Sequence, residues 1–245
     1  EITSSKSEIP EITKKQIGDA FASVVLATTI REVRAFTGFT RVQGFGGQGI
    51  ELVAPDLGKK PGGSKVRYLP ATENKGEGIF LQLDESFVHD WEKQSSVIQR
   101  VEKTKEIIKD KGISGMPEPS PRFIALHTLA HLLIRRLTFS CGYSSSALRE
   151  RIYSRTPDEG DPMAAIFIFT AAGDSQGSLG GLVRQGKEPR LSLNIVASLE
   201  SAKWCSADPV CLNLRTGNNM LNIGACHSCA LLPETSCTNF NILLD

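Results

Sequence analysis

The stretch GACHSCALLPETSC, residues 224–237, concentrates metal-binding side chains near the end of the chain. Cys226 and Cys229 form a CxxC pair, with His227 between them and Cys237 eight residues after the second cysteine. Two thiols at this spacing sit on one tight turn and can point both sulfurs at the same ion. A four-sulfur site then needs a second pair of cysteines from elsewhere in the chain.

Two cysteines that precede this stretch supply the second pair. The spacing C-x5-C-x14-C-x2-C is that of two turns joined by a loop, and Asp208-Pro209 inside the first turn favours chain reversal. Zn²⁺ prefers thiolates in a tetrahedron, and a closed sulfur shell leaves no position for water. The sequence therefore predicts a structural zinc site with four ligands: Cys205, Cys211, Cys226 and Cys229.

The distribution of cysteines argues against a disulfide scaffold. Five of the six fall between residues 205 and 237, whereas a secreted disulfide domain spreads its cysteines through a short chain. The cluster indicates metal binding in a reducing compartment, so we expect a cytoplasmic protein. Reduced buried cysteines with a chance CxxC, and a redox-active CxxC, stay open as alternatives. Cys237 is a fifth candidate ligand, and His227 a sixth, although we expect His227 to point away from the metal.

Length and composition are those of an ordinary globular protein. The chain has 245 residues, of which 40% are hydrophobic and 22% charged, enough for one large domain or two small ones. With a net charge of +1, any basic surface has to be local. The apolar stretch near residues 126–137 is interrupted by His131, Arg135 and Arg136, which argues against a transmembrane helix and a membrane partner. Because residue 1 is Glu, we expect the chain to be a piece of a longer protein.

The pattern along the chain predicts a mixed α/β (α+β) domain followed by the zinc module. We interpret residues 1–22 as a linker or frayed start, residues 23–203 as the mixed domain, and residues 204–245 as a zinc-binding module packed on it. Residues 122–140 are apolar nearly all round and predict a buried central helix that begins at Ser120. The apolar run near residues 164–170 predicts a central strand.

Other segments give more local predictions. The sequence predicts a strand after Arg31 within residues 24–42, two strands joined by a turn at 74–78 within residues 65–84, one amphipathic helix over residues 85–111, and a short helix at SSALRERIYS, residues 145–154.

The stretch GDSQG, residues 173–177, is the main catalytic alternative. It matches GxSxG, follows an apolar strand and precedes a predicted helix, which is the context of a nucleophile elbow. Ser175 would be the nucleophile of a serine-type hydrolase, with Asp208 and His227 as partners. Because zinc would fix both partners within the cysteine cluster, a glycine turn is the simpler interpretation. GFGGQG, residues 44–49, matches GxGxxG, but the strand-like segment after it favours a loop.

The predicted central helix carries HTLAH, which places His127 and His131 one turn apart on the same face. Zinc proteases use this spacing, but Thr128 stands where their catalytic glutamate would be. A second metal site is therefore an alternative to the favoured interpretation, a pair of hydrogen-bonded core histidines.

Seven strings between residues 30 and 245 form a specific set when they are taken together. They are IREVRAFTGFTRV, GEGIFLQLD, ALHTLAHLLIRRL, LRERIYS, GSLGGLV, WCSADPVC and ACHSCALLPETSCTNFNILLD. This set resembles the helicase-associated zinc-binding domain of bacterial defence and repair proteins, and the resemblance is densest after Phe123.

The resemblance implies a non-catalytic accessory subunit of an anti-phage defence complex. Such a subunit would bind a superfamily 2 helicase partner, help to engage DNA through that complex, and hold zinc with the four cysteines named above. The sequence has no Walker A motif GxxxxGK[ST], so it contains no helicase motor of its own.

Contacts to DNA would come from local arginines, because a planar guanidinium grips phosphate with two hydrogen bonds. Glu32 and Glu150 could instead neutralise these arginines as internal pairs. The candidates are Arg31, Arg34, Arg41, Arg149 and Arg151.

Overall fold

The structure is a computed structural model that describes residues 17–36, 69–112, 117–170, 179–213 and 221–245. Within these residues the architecture is a four-stranded antiparallel sheet with helices packed against it, which confirms the mixed α+β class. Residues 17–20 are helical and lead into the first strand. The sheet order is β1-β2-β4-β3, formed by β1 (Phe21–Ala35), β2 (Ala71–Leu83), β3 (Leu148–Tyr153) and β4 (Ala165–Thr170).

Six helices follow or separate these strands in the described part of the chain. They are α1 (Glu85–Glu92), α2 (Ser95–Lys111), α3 (Pro121–Cys141), α4 (Gly181–Gln185), α5 (Arg190–Ser201) and α6 (Val210–Asn213).

Helix α3 is the buried central element that the sequence predicts. Ser120 caps it by accepting a hydrogen bond from the backbone N–H of Phe123 at 3.1 Å, and Gly142 ends it with a left-handed φ of 77°. Leu133 and Ile134 of α3 belong to the main core together with side chains of the sheet. Because the helix is apolar on most of its surface, it can pack on the sheet and on the C-terminal segment at the same time.

Strand β4 is an inner strand, as its continuous apolar sequence predicts. It pairs with β2 on one side and β3 on the other, and its Ile166 and Ile168 are buried in the main core. A strand in this position gains by being hydrophobic throughout rather than in alternation.

The short helix predicted at residues 145–154 is wrong, because most of that segment is strand β3. It pairs with β4 along its whole length, from Leu148 opposite Thr170 to Tyr153 opposite Ala165. Side chains therefore alternate with a period of two, and Leu148 and Glu150 are buried. This alternation decides where the charged side chains of LRERIY point.

Three further boundaries differ from the prediction. Strand β1 begins at Phe21, well before Arg31, and α1 and α2 replace the single helix over residues 85–111. Strand β2 runs without a turn through residues 74–78. A Cβ on Gly76 would lie 1.7 Å from the carbonyl oxygen of Thr170, so this glycine permits close approach of the chain rather than a reversal.

Candidate metal centre

The four predicted cysteine ligands come together at one point. Their sulfur atoms all lie within 4.8 Å of one another. The measured separations are 3.5 Å between Cys205 and Cys226, 3.7 Å between Cys211 and Cys229, and 3.9 Å between Cys226 and Cys229. A tetrahedron of sulfurs at about 2.3 Å from Zn²⁺ has edges of about 3.8 Å, so the cluster has the size of a zinc site.

Each cysteine pair is held by a hydrogen-bonded turn. In the first, the carboxylate of Asp208 accepts from the backbone N–H of Cys205 at 2.6 Å, and Cys211 donates its backbone N–H to the carbonyl of Ala207. In the second, the carbonyl of Cys226 accepts from the N–H groups of the three residues 229–231. Both turns therefore orient the two thiols of their pair toward a common centre.

The thiols do not ionise equally within the cluster. Burial opposes ionisation of Cys226, but hydrogen bonds from the backbone N–H of Ser228 and from neighbouring thiols outweigh it and lower the pKa to about 7. Burial, followed by the other cysteines, raises the pKa of Cys211. Four thiolates this close together require a cation, and an all-sulfur donor set is the one that zinc prefers.

The loop with the second pair is fastened to helix α3. Arg135 donates to the carbonyl of Ser228 at 2.9 Å and to that of Leu231 at 3.3 Å, while Nδ1 of His131 lies 2.9 Å from the carbonyl oxygen of Ala230. These contacts turn the loop carbonyls toward the helix, so the position of the metal centre is tied to the main core. The domain boundary predicted at residue 204, between the mixed domain and the zinc-binding module, stays a prediction.

The C-terminal segment is closed by two asparagines. The side chain of Asn241 pairs with the N–H and the carbonyl of Leu232 at 2.8 and 2.9 Å, and Asn222 accepts from the N–H of Leu244 at 3.0 Å. Ile242 and Leu243 then pack in one cluster with side chains of α2 and α3. Because the buried backbone groups are satisfied in this way, the segment can be irregular and still lie in the interior.

The two additional candidate ligands have different positions. His227 is exposed and is not among the clustered ligand atoms, as expected. Cys237 is 5% exposed and lies in a different cluster, with His127, His131 and Glu150. His127 and His131 are both completely buried, which confirms the prediction that they lie in the core.

Of the arginines predicted to contact DNA, three form ion pairs within the described residues and one is exposed. Arg31 lies 2.8 Å from Glu73, and Glu32 contacts both Arg34 at 2.7 Å and Arg149 at 3.8 Å. Arg151 is exposed. Arg41 lies outside the described residues.

Glu150 does not pair with these arginines, contrary to one interpretation of the sequence. On β3 it points to the buried side, toward His127 and His131, because alternate residues of a strand face opposite sides. Sequence reasoning missed this residue; the signal that could have found it is the period-two pattern of LRERIY, in which Glu150 takes the phase of the apolar positions.

The structure leaves the nucleophile of the catalytic alternative untested. Ser175 and the rest of GDSQG, like GFGGQG, lie outside the described residues. Asp208 uses its carboxylate to hold the turn at Cys205. In the described ranges, no helix has both the length and the apolar character needed to cross a bilayer.

Comparison with known proteins agrees with this centre. Residues 129–230 match the family described as the MrfA Zn-binding domain, a range that includes the four clustered cysteines. The chain is also 41% identical over 184 residues to the DISARM protein DrmB of Bacillus paralicheniformis. That alignment covers 73% of this chain and 32% of the relative, so the chain spans about a third of the length of the protein it matches. The chain is therefore DrmB-like in sequence, with a match to a zinc-binding domain that includes its cysteine cluster.

Proposed function

We propose that this chain is a non-catalytic accessory part of an anti-phage defence helicase complex. The observation that carries the proposal is the 41% identity to a DISARM protein over 184 residues. The match to a Zn-binding domain supports the second half of the proposal, a structural zinc site. Its ligands are Cys205, Cys211, Cys226 and Cys229.

The zinc site has the character of a scaffold. Four sulfurs complete the coordination of Zn²⁺, so no position is left for a substrate or an activated water. Its role is to fix the two cysteine turns and the residues that flank them.

Exposed apolar side chains next to the cysteines support the binding of a partner subunit. Trp204, Val210 and Leu212 are 70%, 55% and 62% exposed, and they flank the first cysteine pair. Large apolar side chains left in water at one place are typical of a protein interface, and tryptophan often dominates such interfaces. We propose that the partner is a superfamily 2 helicase subunit of the DrmA type.

Co-purification of the helicase subunit tests this surface. Trp204→Ala is expected to weaken the complex at least tenfold without loss of zinc, because the side chain is exposed and is not a ligand. Phe87→Ala is the matched control, since Phe87 is 52% exposed on α1. Equal capture by Trp204→Ala and the unsubstituted protein would remove this surface from the proposal.

Two arginines that contact the same carboxylate, with a third arginine beside them, support the engagement of DNA. Glu32 contacts Arg34 and Arg149, and Arg151 follows on the same side of β3 as Arg149. Burial lowers the pKa of Arg149, and the positive charge of Arg34 lowers it further. The positive charges therefore exceed the negative charge of Glu32, which leaves a local basic surface suited to phosphate.

A salt titration of DNA binding by the reconstituted complex tests the arginines. For Arg149→Ala and Arg151→Ala we expect the slope of log K against log salt to fall by about one for each lost phosphate contact, with little change in sequence preference. Arg136→Ala, an exposed arginine on α3, is the control. If Arg149→Ala lowers the melting temperature and leaves DNA affinity unchanged, the arginines are internal pairs.

A further inference from the structure

A second group of metal-binding side chains lies in the interior, away from the four-cysteine centre. His127 and His131 come from α3, Glu150 from β3, and Cys237 from the C-terminal segment. One donor atom from each lies within 4.8 Å of the others. The exposed fraction is 0% for the first three and 5% for Cys237, so bulk water does not solvate these groups.

The hydrogen bond of His131 fixes its tautomer. Nδ1 lies 2.9 Å from the carbonyl oxygen of Ala230, and a carbonyl can only accept, so Nδ1 carries the proton. Nε2 is then a bare lone pair, and it faces Oε1 of Glu150 at 3.5 Å. Two acceptors that face each other in a dry interior require a proton or a cation between them.

Among the described residues, the other donors near Glu150 are the N–H of His127 and the thiol of Cys237, which is only a weak donor. Nε2 of His127 lies 3.1 Å from Oε1 of Glu150 and 3.2 Å from the sulfur of Cys237, and one N–H can serve only one of them. Nε2 of His131 and both carboxylate oxygens of Glu150 have no hydrogen-bond partner among the described residues. Buried polar atoms without partners are rare and mark an atom or ion that completes the site.

Glu77 shows that this chain satisfies a buried carboxylate where no ion is involved. It is also 0% exposed, yet it accepts from the hydroxyl of Tyr143 and from the N–H groups of Gly180, Leu182 and Val183 at 2.7–3.3 Å. Around the carboxylate of Glu150 lie a shared N–H, the bare Nε2 of His131 and the thiol of Cys237, which is only a weak donor. The difference is in the surroundings, since both groups are equally buried.

We propose that His127, His131, Glu150 and Cys237 form a second metal site, for a divalent transition cation of the zinc class. A tetrahedral zinc ion with bonds of about 2.0–2.3 Å to nitrogen, oxygen and sulfur separates its ligands by about 3.3–3.6 Å. The separations of 3.1, 3.2 and 3.5 Å are close to these values. One carboxylate and one thiolate neutralise the 2+ charge, and two neutral imidazoles complete the shell.

Outer contacts hold two of the ligands in the orientation that a metal needs. The sulfur of Cys237 accepts from the N–H groups of Asn239 at 3.3 Å and Asn241 at 3.4 Å. Phe240 and Asn241 adopt a left-handed φ of 54°, which non-glycine residues rarely do, and this turn brings the second N–H onto the sulfur. The bond from Nδ1 of His131 to a carbonyl is the usual outer contact of a metal-bound histidine.

The site is closed, so its role is to join structural elements. It connects α3, β3 and the C-terminal segment, which also meet through apolar packing, through the hydrogen bonds of Arg135 and through the bond from the Glu150 N–H to the carbonyl of Ser236. One hydrogen bond connects it to the four-cysteine centre, because the carbonyl that orients His131 belongs to Ala230, the residue after Cys229. Together, the two centres hold the C-terminal segment against the rest of the domain at two points.

The proposal is tested first on the unsubstituted chain. Protein loaded with zinc and dialysed against metal-free buffer is expected to retain two zinc ions per chain. Zinc X-ray absorption should then give a mixed shell, on average about 2.5 sulfur and 1.5 nitrogen or oxygen neighbours per ion, since five cysteines and three other ligands share two ions. One zinc per chain with four sulfur neighbours would overturn the proposal.

Substitutions then assign the second ion. Cys237→Ser and His131→Gln are expected to reduce the zinc content from two to one while the remaining ion becomes purely sulfur-coordinated. Cys141→Ser and His227→Gln are the matched controls, since neither residue belongs to either group. If Cys237→Ser keeps two ions, or loses an ion whose shell is all sulfur, the second site does not exist. If the variants fail to fold, the absorption spectrum of the unsubstituted chain decides.

Discussion

Glu77 and Glu150 are both fully buried glutamates in the same sheet, but their surroundings are opposite. Four donors converge on Glu77, three of them backbone N–H groups at the start of α4. Around Glu150 lie two imidazole rings and a thiol. Burial alone therefore does not define the role of a charged side chain. The donors and acceptors around it determine whether it caps a helix or attracts a cation.

The two regions also differ in what each needs for stability. The Glu77 region is complete as it stands, because protein groups satisfy the carboxylate and the first N–H groups of α4. The Glu150 region is incomplete without a positive charge.

Removal of metal is expected to separate the two regions most strongly. Zinc binding contributes directly to folding, by about 10 kcal/mol or more for structural zinc sites. After treatment with a chelator and a thiol reagent, amide hydrogen exchange should rise across residues 221–245 and in β3. Protection should persist in the part of β2 that carries Glu77. Cys226→Ser should reproduce the effect on residues 221–245, and unchanged exchange there would contradict it.

Glu77→Gln is expected to destabilise the chain by about 2–4 kcal/mol, whether or not metal is present. The substitution replaces a charged acceptor by a neutral amide, weakens several charge-assisted hydrogen bonds and turns an NH₂ group toward backbone donors. Urea unfolding measures the change. Glu73→Gln, on the exposed part of the same strand, should stay within about 0.5 kcal/mol.

Glu150→Gln is expected to change stability in opposite directions in the metal-free and the zinc-loaded protein. In metal-free protein it should be neutral or stabilising, because it removes an unpartnered buried charge. In zinc-loaded protein it should destabilise, because a ligand is lost. Destabilisation of the same size in both forms would place Glu150 in the same structural class as Glu77.

Tyr143→Phe is expected to have the smallest effect, about 1 kcal/mol, through loss of one hydrogen bond to Glu77. Burial, and then the contact with Glu77, raises the pKa of Tyr143 to about 12. Because folding favours the protonated hydroxyl, its contribution is complete below the unfolded-state pKa of about 10 and is lost as pH rises toward 12. The stability difference between the two proteins, measured by urea unfolding from pH 8 to 11.5, should therefore shrink above pH 10.

Much of the fold follows from local sequence. The cap at Ser120, the terminator Gly142 and the apolar run of β4 act through contacts between near neighbours, so they could be predicted. The prediction failed at LRERIY, where helix and strand propensities are similar and pairing with β4 decided the outcome. It failed again at residues 74–78, where glycines that permit close approach of a neighbouring chain looked like a turn.

The two centres show the same division. The CxxC and the second cysteine pair can be recognised in the sequence by their spacing, because each pair lies on one local turn. His127, Glu150 and Cys237 are far apart in sequence and come from a helix, a strand and an irregular segment. No spacing relates them, so only packing could bring them together.

The two cysteine turns, the buried helix and the inner strand could be predicted from the sequence, because each depends on residues that are near neighbours along the chain. Strand pairing and helix packing, in contrast, turn Glu150 inward to two histidines and place Cys237 in a group separate from the four-cysteine centre. The physical reason is that a donor atom's partner is set by the strand register and the docking of α3 on the sheet. Both depend on contacts between residues 12 to 110 positions apart, which no local pattern encodes.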